Sequence, residues 1–183
     1  MSKKILAGFF VLSLAGVSAA VIAGEMDKKV RAEEYAGEII GMRSSLARTF
    51  IKPDAEITME TFKSVCGAVG KRVAEITEKE GFVIRHAAVK FRNPNNRATD
   101  EEAELIGEFD RNRNFKEMWD TVSVEGKNYL RYTRPIFVEE ACMACHGPVE
   151  TRPAFISEKY PADKAYDFKT GDIRGMISVL VPE

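Results

Sequence analysis

The spacing of apolar positions changes several times along the chain, and each change marks a different element. Ile5 through Gly24 carries no charge, only apolar and small residues. Residues 25–50 are charged early and apolar late. Ile39, Met42, Leu46 and Phe50 recur there at helical spacing and predict a helix with one buried stripe. Pro53 ends that pattern, and Lys52-Pro53-Asp54 reads as a linker. A second helix is predicted over residues 57–80, with Phe62, Val65, Cys66, Val69, Val73 and Ile76 on one face and Gly81 as its stop.

Beyond Gly81 the period shortens. Phe82–Phe91 is rich in β-branched and aromatic residues and reads as a strand. Asn93-Pro94-Asn95-Asn96 is a turn cluster. Thr99 with Glu102 forms a capping box for a short helix ending near Phe109. Trp119–Val124 and Tyr129–Val138 are expected strands on either side of a Glu125-Gly126 hairpin turn. Residues 142–172 read mostly as loop, and Met176–Val181 as a final strand. Helices first and strands afterwards, with one helix among them, predict an α+β fold with an antiparallel sheet.

Composition narrows the function. The chain has 27 Lys plus Arg against 28 Asp plus Glu, which excludes a basic protein coating nucleic acid by charge alone. A hydrophobic fraction of 45% fits a packed domain and not a disordered one. Lys3 and Lys4, the uncharged run and the small residues Ser18, Ala19 and Ala20 have the layout of an export leader, with cleavage expected after Ala20 or slightly later. The run is also long enough to span a bilayer, so a retained anchor is the alternative. Either places the remainder outside the cytoplasm, in the periplasm, with the membrane as a partner only if the leader is kept.

Three cysteines are too few for a disulfide scaffold, and one of the two histidines directly follows a cysteine pair. Cys142-Met143-Ala144-Cys145-His146 is the pattern for covalent attachment of a c-type haem. Two thiols add across the vinyl groups of one porphyrin edge, so they must lie a few residues apart on one turn, and the adjacent imidazole reaches the iron. A thioredoxin-like redox pair would need a βαβ unit, which the sequence lacks. A zinc site would need a second ligand pair, and a short-range disulfide is the remaining alternative. For the other face of the iron, Cys66, His86, a methionine or no residue are all open on spacing alone. Cys66 is otherwise a small buried hydrophobe, and His86 a strand residue hydrogen-bonded at a sheet edge.

Several stretches together carry a resemblance. They are Ser64-Val65-Cys66; Lys90-Phe91-Arg92-Asn93-Pro94-Asn95-Asn96 followed by Glu101-Glu102; Cys142 through Gly147; and Tyr160 through Ala165 running into Gly171 through Gly175. Over residues 55–182 the chain resembles the single-haem, PAS-like periplasmic domains long catalogued only as a domain of unknown function. Such domains also occur fused to histidine kinases and chemoreceptors. The resemblance implies a PAS-like antiparallel sheet flanked by helices, one haem c, and iron held by His146 and Cys66. At His86 the family more often shows a hydroxyl residue. Arg92, Asn95, Asp172 and Arg174 match family positions without an assigned role; turn bracing and contact with the haem propionates are both open, with turn bracing the reading for Asn95 and Asp172. The chain then divides into a leader or anchor over 1–24, an N-terminal helix and linker over 25–54, and a PAS-like haem domain over 55–183.

With both axial positions filled, the site reads as non-enzymatic: a redox or small-ligand sensor, responsive to nitric oxide or carbon monoxide. The chain ends just after its last strand, so a signalling or redox protein partner is expected. The alternative is an electron-transfer cytochrome. A haem enzyme using His146 alone would need acid–base groups on a vacant face, for which His86 and Arg92 are the candidates.

Overall fold

The computed structural model describes residues 19–52 and 55–183. Residues 1–18 of the expected leader and Pro53-Asp54 of the expected linker lie outside the described residues. Helix α1 (Ala19–Phe50) is followed by α2 (Met59–Phe62), a π-helical turn (Lys63–Gly67) and α3 (Ala68–Glu80). Strand β1 (Val83–Ala87) leads to α4 (Asp100–Arg111), and β2 (Met118–Val124) and β3 (Lys127–Phe137) form a hairpin. Two short helices, α5 (Met143–His146) and α6 (Ala154–Lys159), precede β4 (Ile173–Pro182). Among the described residues no helix is long and apolar enough to cross a membrane.

The fold is α+β, with a four-stranded antiparallel sheet in the order β1-β4-β3-β2. The last strand lies in the middle, pairing Ile84 with Val179 on one side and Tyr132 with Val179 on the other. Alternation along the strands sends side chains to two faces. One face, with Ile84, Tyr132, Ile136, Ile177, Val179 and Val181, packs under α1 and α3. The other, with Ala87 and Met176, packs on Leu105, Ile106 and Phe109 of α4. The Glu125-Gly126 turn has positive φ at both residues, 51° and 77°, as a two-residue hairpin requires. Thr99 and Glu102 cap α4 reciprocally, and Gly81 ends α3 in the left-handed conformation.

Four expectations need correction. The second helix is not continuous: the π-helical turn interrupts it around Cys66. The first expected strand stops at Ala87, because Ala88 instead exchanges hydrogen bonds with Asn96 and Ala98. Residues 142–172 hold two short helices and a 3-10 turn. The stripe of α1 is built on Ala32, Ala36, Ile39 and Ala47, with Met42 and Leu46 half-buried beside it, whereas Phe50 is 46% exposed. Small residues dominate that stripe because the helix lies close against the sheet.

Candidate functional site

Between α1, the π-helical turn, the ends of β3 and β4, and α5 lies a cavity that opens to solvent. Cys66, Cys142, Cys145 and His146 all line it, together with Arg43, Phe62, Ile136 and Arg174. A neighbouring hollow shares Cys66 and His146 and adds His86 and Arg92. The four residues singled out by sequence are therefore brought together from two distant segments.

The cysteine pair is set by local geometry. A 3-10 turn (Glu140–Cys142) passes directly into α5, which places residues 142 and 145 one helical turn apart on the same side. Gly147 lets the chain leave α5 abruptly, since a Cβ there would lie 2.7 Å from the Met143 carbonyl. Burial pushes the Cys142 thiol up and the Cys145 thiol up to about 11. Both are neutral at ordinary pH, the opposite of the depressed thiol of a redox-exchange pair. Among the described residues no three His, Cys, Asp or Glu side chains are grouped to hold a bare metal ion.

His146 is oriented for coordination. Its Nδ1 donates to the Ala165 carbonyl at 2.7 Å, which puts the remaining lone pair on Nε2. Arg92 Nη2 also lies 3.4 Å from Nδ1, but a guanidinium can only donate, and the shorter contact to the carbonyl sets the tautomer. Burial, reinforced by Arg174 and Arg92, holds the imidazole well below its usual range and therefore neutral. Arg92 acts as a brace: its Nη2 donates to the Cys145 carbonyl at 2.6 Å, and its Nε meets Asp163 at 3.4 Å. Asp163 also accepts from Arg152 at 2.9 Å and from the Ala165 amide at 2.8 Å. One buried carboxylate thus fixes both the attachment turn and the loop segment that orients His146.

Cys66 is placed differently. Val65 and Val69 take the core positions, and Cys66 is half-buried against the cavity rather than set into the apolar face. The π-helical turn accounts for this, because its extra residue shifts the register by one position, and such turns recur at functional sites. Phe62, one residue before the turn, is flanked by the rings of Phe155 and Tyr160.

His86 corrects an expectation. It lies on an edge strand, but its Nε2 is buried without a hydrogen-bond partner. Gly175 makes room for the ring: a Cβ there would stand 2.9 Å from that nitrogen and 2.3 Å from the Ala87 carbonyl. Asp172 braces a turn, its Oδ2 accepting from the Lys169 backbone N–H at 2.7 Å, whereas in the Asn93–Asn96 turn the bracing side chain is Asn93, whose Oδ1 accepts from the Asn95 backbone N–H at 3.0 Å. Arg174 is buried and donates to the Lys90 carbonyl at 2.9 Å.

Sequence reasoning missed Arg43 and gave Asp163 no role. The signal for Arg43 was present: it continues the Ala32, Ala36, Ile39, Ala47 stripe, so a charge stands where a buried residue belongs. Two neutral thiols one turn apart and a neutral imidazole with a free Nε2, all facing one cavity, are the donor set a covalently held haem requires.

A search of curated proteins gave no significant match. Among solved structures, the crystal structure of the cyanobacterial haem protein Tll0287 is similar, at 41% identity and a TM-score of 0.73, covering 87% of this chain and 96% of that one. The sequence model of the Tll0287-like family matches residues 19–182, so the protein belongs to the Tll0287-like family.

Proposed function

We propose that this protein is a periplasmic c-type haem protein with His146 and Cys66 as axial donors, acting as a redox or small-ligand sensor. The observation that carries this reading is the His146 Nδ1 bond to the Ala165 carbonyl, which leaves Nε2 free in a cavity shared with Cys66, Cys142 and Cys145. The relation to a haem protein over most of the chain supports it. When bound, haem supplies a one-electron iron centre with one coordination position on each face. Cys142 and Cys145 would hold the porphyrin edge through thioethers. Arg92 and Asp163 would keep His146 in place, and Cys66 would provide the second donor. A thiolate in such a cavity is costly to bury alone, and a cationic metal removes that cost.

With both faces taken by protein, no position remains for a substrate, so the reading is non-catalytic. The sensing element is the π-helical turn. Cys66 is its link to the cavity, and α3 continues from it to an ion-paired contact between Arg72 and Glu38 of α1. A change at the sulfur therefore has a short mechanical route to α1 and to a protein partner. The export leader supports the location, since attachment of haem c takes place outside the cytoplasm.

Protein produced with a haem-attachment system is expected to keep its colour on a denaturing gel. Haem that extracts into acidified organic solvent would refute the covalent reading. Cys66→Ser is expected to convert a low-spin thiolate spectrum to a high-spin or water-ligated one. If His86→Ala has that effect and Cys66→Ser does not, the ligand assignment is wrong and an electron carrier with two histidine ligands takes its place.

A further inference from the structure

Arginine partners differ sharply across the molecule. Arg92 and Arg131, both buried, hold carboxylates: Arg92 meets Asp163, and Arg131 meets Asp120 and Glu101. Arg174 is buried to a similar degree, and among the described residues it has no carboxylate partner; its polar contact is the Lys90 carbonyl. Arg43 projects from α1 into the same cavity without an ion pair or hydrogen bond among the described residues, and its Nε is buried and unpartnered. A guanidinium out of water without an anion is costly, and its planar fork suits a carboxylate above other partners.

We propose that Arg43 and Arg174 form a carboxylate-binding pair, and that the carboxylates they take are the two propionates of the haem. The inference rests on the haem reading above. Its basis is a match of number and sign: two unpaired guanidiniums line the cavity that holds the axial donors, and haem brings two carboxylates. Burial disfavours the charged form of both groups. Burial pushes the Arg43 guanidinium down, and burial with Arg43 and Arg92 nearby pushes Arg174 down to about 9. Arginine stays charged in proteins, so carboxylates placed beside both groups would offset that cost. Arg92 is not part of the pair, because it already has a buried carboxylate partner in Asp163, shared with Arg152, and donates to the Cys145 carbonyl.

The test uses holoprotein carrying Arg43→Gln, Arg174→Gln, Arg43→Lys or Arg174→Lys. In each Gln variant the propionate bending band in the resonance Raman spectrum is expected to shift. Loss of a cation is also expected to favour the ferric form about tenfold, which is a potential about 59 mV more negative for one electron. Each Lys variant keeps the charge, so its potential is expected to return towards wild type while the propionate band still moves, because the forked contact is gone. If a Gln variant fails to retain haem, the Lys band shift decides alone. Propionate bands unchanged in all four variants, with haem attached, overturn the proposal and leave the haem reading intact. Acetate titrated into wild-type holoprotein is expected to change nothing. A saturable shift of the potential with acetate would assign the pair to a free carboxylate and overturn the proposal. Colourless wild-type protein would overturn the haem reading, and the pair's assignment with it.

Discussion

The wall of the cavity that carries His146 is held by charged hydrogen bonds, whereas the wall that carries Cys66 is held by an irregular helix and the edges of aromatic rings. On the first wall, Asp163 gathers Arg92, Arg152 and the Ala165 amide, and Arg92 reaches on to the Cys145 carbonyl. The main chain adds bonds from Asp167 to the Gly147 carbonyl at 2.8 Å and from Phe168 to the His146 carbonyl at 3.1 Å. On the second wall, Thr58 caps α2, the π-helical turn follows, and Phe62 rests against Phe155 and Tyr160. Directional charged bonds have one geometry, while ring edges and a π-helical turn tolerate small displacements. On the proposed ligation by His146 and Cys66, the sulfur is the donor expected to yield, an asymmetry that a sensor would need and a simple electron carrier would not.

The comparison can be broken at several points. The largest effect is expected from Cys142→Ala with Cys145→Ala, which leaves no thiol for attachment and no covalently held haem, checked by haem stain on a denaturing gel. Either single change leaves at most one thioether. Next comes Asp163→Ala. It strips the buried acceptor from Arg92 and Arg152, and breaking a buried ion pair costs about 3–5 kcal/mol. Chemical denaturation is expected to show that loss. If Asp163→Ala leaves stability unchanged, the charged wall is not the rigid one.

A smaller effect concerns the link between α1 and the attachment turn. Glu139 accepts from Ser44 at 2.6 Å and from Arg48 at 2.7 Å. The Ser44 bond first, and Arg48 as well, hold its carboxyl below the usual carboxylate value against the opposing effect of burial. A folded-state value below the unfolded one means the contribution is complete above the ordinary carboxylate range and is lost as pH falls through the folded value. Acidification is therefore expected to speed amide exchange at the C-terminal end of α1, and Glu139→Gln to remove that pH dependence. The smallest effect is expected at His86. His86→Ala removes an unpartnered imidazole and leaves the haem spectrum nearly unchanged.

Elements set by local chemistry were legible in the sequence: the Thr99–Glu102 cap, the Gly81 stop, the Glu125-Gly126 hairpin, and the spacing of Cys142, Cys145 and His146. Features set by tertiary contact were not. The π-helical turn was hidden because Val65 within it and Val69, Val73 and Ile76 after it keep helical spacing. The β1 strand was read too long, since Val89 and Phe91 have strand propensity; the Ala88 bonds to Asn96 and Ala98 override it. The turns within 140–159 are too short for any periodicity to show. Arg43 was missed because the stripe of α1 was read on the large residues Met42, Leu46 and Phe50, whereas the buried one runs through Ala32, Ala36, Ile39 and Ala47, with Arg43 in line.

Ferric electron paramagnetic resonance of the holoprotein bears most directly on the ligation. Thiolate from Cys66 opposite imidazole from His146 predicts a low-spin signal with the narrow spread of g-values that sulfur donation produces, and its loss in Cys66→Ser. A spectrum characteristic of two imidazoles or of imidazole with thioether, unaltered by Cys66→Ser, would contradict the account.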